Sequence, residues 1–257
     1  MDHPISRTET HHVNLSAPDD RSYRRTARVA GILYLLTFVS IPSLLLYRPV
    51  KDADYVLRSG PDTAAVVGGL LEVTVALAGI ATAVTLFPIL KKQNESLALG
   101  LVAARVLESA TIVVGVAFLL AVVTLRRDGA GPDALPISHV LVVLYDRIFL
   151  LGQSFMPAAC DLILGYLLYR SRLVPRGLAL IGIAGGPVLV MGYLAVMFGG
   201  IDQHGGLAGL SALLVAVFEF SLGVWLVVRG FDPDAVAALD APTVPGPWVG
   251  AEPAGSR

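Results

Sequence analysis

The sequence predicts an all-α membrane protein: a polytopic bundle of six transmembrane helices with both termini cytoplasmic. Three observations carry that expectation. Hydrophobic residues make up 55% of the 257-residue chain and charged residues only 15%, against about 25% charged in a typical soluble domain. Several apolar runs reach roughly 20 residues, the length that crosses a bilayer core, where soluble helices average about three turns and keep a polar face. Lysine and arginine gather in alternate turns between those runs, the pattern that orients membrane helices.

Taken in order, residues 1–27 are polar and irregular, and the expectation is a disordered cytoplasmic tail. The tail has no early apolar stretch of the kind a cleaved signal peptide carries. Arg21, Arg24, Arg25 and Arg28 abut the first apolar run and read as the positive flank of a signal anchor. The membrane domain is expected over residues 28–229. Its first span covers about residues 29–47, with Pro42 as a kink. The second covers about 63–90 and carries Glu72, ending at Pro88 and the basic turn Lys91-Lys92. The third, about 97–125, carries Arg105 and Glu108. The fourth lies in 139–171 and holds Asp146, Arg147, Pro157 and Asp161 before a basic turn of Arg170, Arg172 and Arg176. Pro157 is expected to kink this helix and to free the carbonyl of Gln153. The fifth, about 178–198, is glycine-rich, and Gly182 with Gly186 forms a small-xxx-small pair that admits a close neighbour. The sixth, about 207–228, carries Glu219. Residues 230–257, rich in proline, alanine and glycine, are expected to form a disordered cytoplasmic tail.

With the N-terminus inside, twelve Lys and Arg fall on the cytoplasmic side: Arg7, Arg21, Arg24, Arg25, Arg28, Lys91, Lys92, Arg170, Arg172, Arg176, Arg229 and Arg257. Five fall outside: Arg48, Lys51, Arg58, Arg126 and Arg127. The expected location is therefore a cytoplasmic membrane.

Two stretches, ARVLESA (104–110) and LGYLLYRSRLVPRGLALIGIAGG (164–186), join the opening RVAGILYLL (28–36) in a recognisable pattern. Together they resemble a bacterial family of six-span proteins catalogued as domain of unknown function 4386. The resemblance covers roughly residues 25–230. It implies an integral membrane protein and no established activity, and it brings no catalytic residues with it.

Function must then be sought in the seven ionisable side chains within the spans. Each costs about 2.5–3.5 kcal/mol at a helix centre. Seven facing lipid would cost about 20 kcal/mol, more than the roughly 5–15 kcal/mol that holds an ordinary fold together. They must meet partners, water or the interface. Arg105 and Glu108 share one helix face at i, i+3, and a rise of about 1.5 Å per residue puts Asp161 at a similar depth. The expected polar network, and candidate solute or proton path, comprises Glu72, Arg105, Glu108, Asp161 and Glu219, with Arg105 bridging Glu108 and Asp161. Glu219 has no cation near it in sequence. Asp146 and Arg147 are expected to form a solvated pair at the outer interface.

Three functions compete: a small transporter or permease-like protein moving a small solute or proton, a non-catalytic scaffold or regulatory subunit, and a membrane enzyme acting on lipidic substrates. The residues favour the first. An enzyme lacks a recognisable nucleophile or metal motif, because HExxH, GxSxG, phosphate-binding glycine loops and paired cysteines are all absent. No cofactor or metal is expected, and Cys160 stands alone in an apolar span. Net charge of −1 offers no basic field to nucleic acid. The expected partners are the lipid bilayer, the solute or proton, and further copies or other proteins docked through small-residue helix faces.

Overall fold

The computed structural model describes residues 20–241, which are helical with short connecting turns and contain no strand. Six helical stretches are long and apolar enough to span a membrane. The first is α1 (Asp20–Thr37), continued through a 3₁₀ turn to α2 (Ser43–Leu46); Pro42 sits at the break between them. A short α3 (Arg48–Lys51) follows. Next come α4 (Thr63–Leu90) and α5 (Glu95–Arg127). The fourth span is compound: α6 (Leu135–Phe149), a π-helical turn (Leu150–Ser154) and α7 (Phe155–Ser171). The last two are α8 (Arg176–Met197) and α9 (Gly206–Val228). A short α10 (Pro233–Asp240) ends the described chain.

These runs are helices because lipid offers no partner for a backbone amide, so each amide must be satisfied within its own segment. Local signals set the ends. Asn94 caps α5, its side-chain oxygen accepting from the Leu97 amide at 2.9 Å. Arg126 and Arg127 close α5 where the helix dipole favours cations. Arg172 adopts a left-handed conformation (φ 60°) at the end of α7, and Pro175 then precedes α8. In the fourth span the distortion falls one turn before Pro157, as the π turn. The proline has no N–H for the Gln153 carbonyl, and the backbone widens upstream of it.

Each span packs on the next, and α9 returns to pack on α1. The six spans thus close a ring: α1, α4, α5, α7, α8, α9. Large apolar side chains such as Leu70, Leu77, Met191 and Leu207 stand exposed on its outer surface, where lipid would solvate them. The closing seam depends on small residues. A Cβ on Gly31 would lie 2.7 Å from the Gly223 carbonyl oxygen, so only glycine lets these two backbones touch. Gly182 and Gly186 serve two different neighbours within the ring. Gly182 seats the Phe218 ring of α9, and Gly186 lies against the Ala158 carbonyl of α7.

One end of the ring carries Tyr23, Lys92 and Asp240. The Tyr23 hydroxyl donates to Asp240 at 2.6 Å, and Lys92 pairs with the same carboxylate. Hydrogen bonds from Lys92 and Tyr23 hold the Asp240 carboxyl below its usual range, and the bonds that Lys92 donates to Asp240 and to the Tyr23 oxygen raise its ammonium. This triad docks α10, so residues 230–241 depart from the disordered tail read from composition. Asp232 caps α10 by accepting from Asp234 and Ala235, its own amide donates to the Leu173 carbonyl, and Phe231 and Val236 are buried. Likewise α1 begins at Asp20, within the stretch read as an N-terminal tail. The rest of both tail assignments, residues 1–19 and 242–257, lies outside the described residues.

At the opposite end, Asp62 gathers Arg126, Arg127 and the Tyr55 hydroxyl. Burial opposes its charge, but Tyr55 and the two arginines hold the carboxyl below its usual range. Tyr55 is pushed up to about 12 by burial and by this bond.

Candidate functional site: a polar centre inside the ring

Arg105 projects from the first half of α5 into the ring, where it is 4% exposed. Its Nη1 donates to Glu108, one turn along the same helix, at 3.0 Å. Its Nη2 donates to Glu219 from α9. The same nitrogen lies 3.8 Å from Asp161 of α7, close enough to attract and too far to bond. The Tyr34 ring of α1 faces the guanidinium at 5.7 Å, and the Cys160 thiol lies 3.7 Å from Glu108. Four of the six spans therefore converge on one cation.

The three acids are not equivalent. The Glu219 side chain is 14% exposed and that of Asp161 is 0%. Glu219, Glu108 and Arg105 line a cavity of about 250 Å³, whose wall also includes Gln153, Ser109 and Tyr193. Asp161 stands behind Arg105, outside that wall, and neither of its carboxylate oxygens has a hydrogen-bond partner among the described residues. An unsatisfied buried carboxylate is costly. Here its nearest donor is already engaged by a competitor that faces the cavity.

Glu72, which the sequence groups with Arg105, occupies a separate cage. Its carboxylate accepts from Tyr145 at 3.0 Å, Tyr47 at 3.2 Å and Ser43 at 3.5 Å. Contacts between α4 and α5 explain the separation. Ser109 bonds the Ala76 carbonyl, and Gly69 faces Val116. Glu72 is thereby level with Val113, five residues and about 8 Å along the helix from Glu108. Two tyrosines meeting edge to face, with centroids 5.5 Å apart, form its walls.

Asp146 and Arg147 do not pair with each other. Adjacent helical residues point in different directions. Asp146 pairs with Lys51 at 2.8 Å, and Lys51 also sits over the Tyr145 ring. Arg147 donates to Gln203 in the turn before α9. Pro157 and Gln153 both face the cavity. The partners that sequence reasoning missed include Tyr34, Ser43, Tyr47, Tyr145, Lys51 and Gln203. Their hydroxyls and loop position gave no charge within a span to count; the one available signal was tyrosine in runs otherwise aliphatic.

A family model described as a domain of unknown function, DUF4386, matches residues 29–230. Neither a curated protein nor a solved structure matches the chain. The matched segment contains every residue of the polar centre and of the tyrosine cage, and ends before α10.

Proposed function

Because the chain belongs to the DUF4386 family and is a multi-pass membrane protein, we propose from the polar centre that it is a transporter exchanging a small organic cation for protons. One observation carries the reading. The Nη2 of Arg105 has two rival acceptors, Glu219 facing the cavity and Asp161 sealed behind. When a proton or a cationic group takes Glu219, Nη2 is free to turn to Asp161, whose oxygens accept no hydrogen bond among the described residues. The guanidinium then moves away from the cavity and the site changes state. A two-state element whose balance a ligand can bias is what alternating access requires. Three acids against one base give the centre a charge of −2 when all are ionised, which favours a cation. The cavity, at about 250 Å³, lies below the roughly 300–1,000 Å³ of sites that hold drug-sized ligands, so the solute is small.

Proteoliposomes loaded with a pH-sensitive dye test this. Choline and tetramethylammonium are suitable probes, because their fixed charge prevents passive entry as a neutral base. Added outside, one of them should make the lumen alkaline as protons leave. Glu219→Gln should remove at least nine-tenths of that flux while the protein stays monodisperse. A scaffold would show no flux in either protein, and absence of flux with both probes would end the transporter reading.

The orientation belongs to the same proposal. The end bearing Tyr23, Lys92 and α10 faces the cytoplasm of a bacterium, and the end bearing Asp62 and Asp146 faces out. Support comes from the twelve-to-five distribution of Lys and Arg. Asp133→Cys, exposed on the outer end, should react with a membrane-impermeant maleimide in intact cells, and the native Cys160 is buried and silent. Reaction only after permeabilisation would reverse the orientation.

A further inference from the structure

Two cavities adjoin at the end of the ring that bears α10, and they differ in chemistry. One, of about 500 Å³, is lined by Arg172, Arg176 and Arg229, with Asp232 at its edge. The other, of about 330 Å³, is a groove on the outer face of α9 lined by Phe220, Val224 and Val228. Trp225 and Arg229 line both. From this continuity we propose that the pair forms a binding site for one anionic phospholipid, headgroup on the arginines and acyl chain along α9.

The charge argument is direct. The three arginines come from the end of α7, the start of α8 and the end of α9, so three helix ends converge on one pocket. All three are exposed, and none pairs with a carboxylate among the described residues. The one acid in the wall, Asp232, is committed to capping α10. Guanidinium is the side chain best shaped for a phosphate, which it can hold through two parallel hydrogen bonds. The α8 N-terminus adds free backbone donors, since Pro175 provides no side-chain cap.

The apolar half argues for a lipid rather than a soluble phosphate. Phe220 to Val228 runs about 12 Å along the helix, with Phe220, Val224 and Val228 all exposed on the surface that lipid bathes. A free anion would leave this groove unused. Trp225, at the junction, is the side chain that favours the boundary between headgroup and hydrocarbon. Juxtamembrane arginines also draw anionic lipid toward the site. The proposal is independent of transport, because neither cavity touches Arg105 or Glu219.

Trp225 and Trp248 are the two tryptophans of the chain, so Trp248→Phe leaves Trp225 as the reporter. The full-length protein is reconstituted in phosphatidylcholine vesicles containing a tenth of brominated phosphatidylglycerol, whose bromines quench tryptophan. Quenching should exceed that of the same fraction of brominated phosphatidylcholine by at least threefold. Replacing Arg172, Arg176 and Arg229 with glutamine should bring the two lipids to equal quenching, with the quenching by phosphatidylcholine itself unchanged. That internal reference shows that the helix still meets lipid. Should the triple variant not reconstitute, Arg176→Gln with Arg229→Gln should at least halve the preference. Equal quenching by both lipids in the parent protein, or an undiminished preference in the arginine variants, would overturn the site. So would loss of the preference on adding inorganic phosphate but not chloride at equal ionic strength, which would assign the pocket to a free anion.

Discussion

Arg105→Ala should cost about 3–5 kcal/mol of stability, the range for removing one partner of a buried ion pair. It strands Glu108, Glu219 and Asp161 together, and Asp161 already lacks a hydrogen-bond partner among the described residues. Thermal unfolding in detergent reads the effect. Arg105→Lys should recover only part of it, since an ammonium cannot present the planar fork that now spans two helices. Adding Glu108→Ala, Asp161→Ala and Glu219→Ala to Arg105→Ala should restore most of the loss, because no uncompensated charge then remains. Cation exchange should stay absent in that quadruple variant although it folds. An Arg105→Ala protein as stable as the parent would mean that the centre is solvated and that the pairing contributes little.

Gly152→Ala should be the most damaging single methyl group, costing about 3 kcal/mol, at the upper end for overpacking. The added Cβ would stand 1.9 Å from the Thr111 hydroxyl oxygen and 2.4 Å from its Cβ. Thr111 has little room to yield: its hydroxyl donates to the Glu108 carbonyl at 2.6 Å. The clash would therefore be passed from the π turn to the backbone that carries Glu108. Gly177→Ala is the control, since a Cβ there meets nothing within 4 Å. Equal melting temperatures for the two variants would show that the π turn can shift away from α5.

The spans, their order and the Arg105–Glu108 contact were readable from the chain, because hydrophobic run length and i, i+3 spacing are local. Partners across the ring were not. Glu219 seemed to lack a cation only because its cation lies 114 residues away on α5. Glu72 was drawn to the wrong group because counting charges ignores tyrosine hydroxyls, and three hydroxyl groups hold it. Lys51 counted as a loop cation, yet the chain bends back after α2 and sets it against Asp146. The π turn in the fourth span interrupts constant helical steps, so spacing along the sequence does not by itself orient Asp146 relative to Asp161. Helix α10 did leave a local trace. Asp232-Pro233 is a cap followed by proline at the first helical position, a short signal outweighed by the composition around it.

The ring seam also bears on how the protein is made. A ribosome delivers α1 first and α9 last, and these two helices must meet to close the structure. Until α9 arrives, every nascent form has an open flank, and Arg105 has yet to receive Glu219. Glu108 lies three residues behind Arg105 in the same helix, so α5 enters the bilayer already carrying its own counter-ion. Asp161 arrives with the fourth span, and Glu219 joins only with the sixth. The order of synthesis thus adds acids to one arginine step by step, and the cavity gains its complete wall only when the final span is threaded.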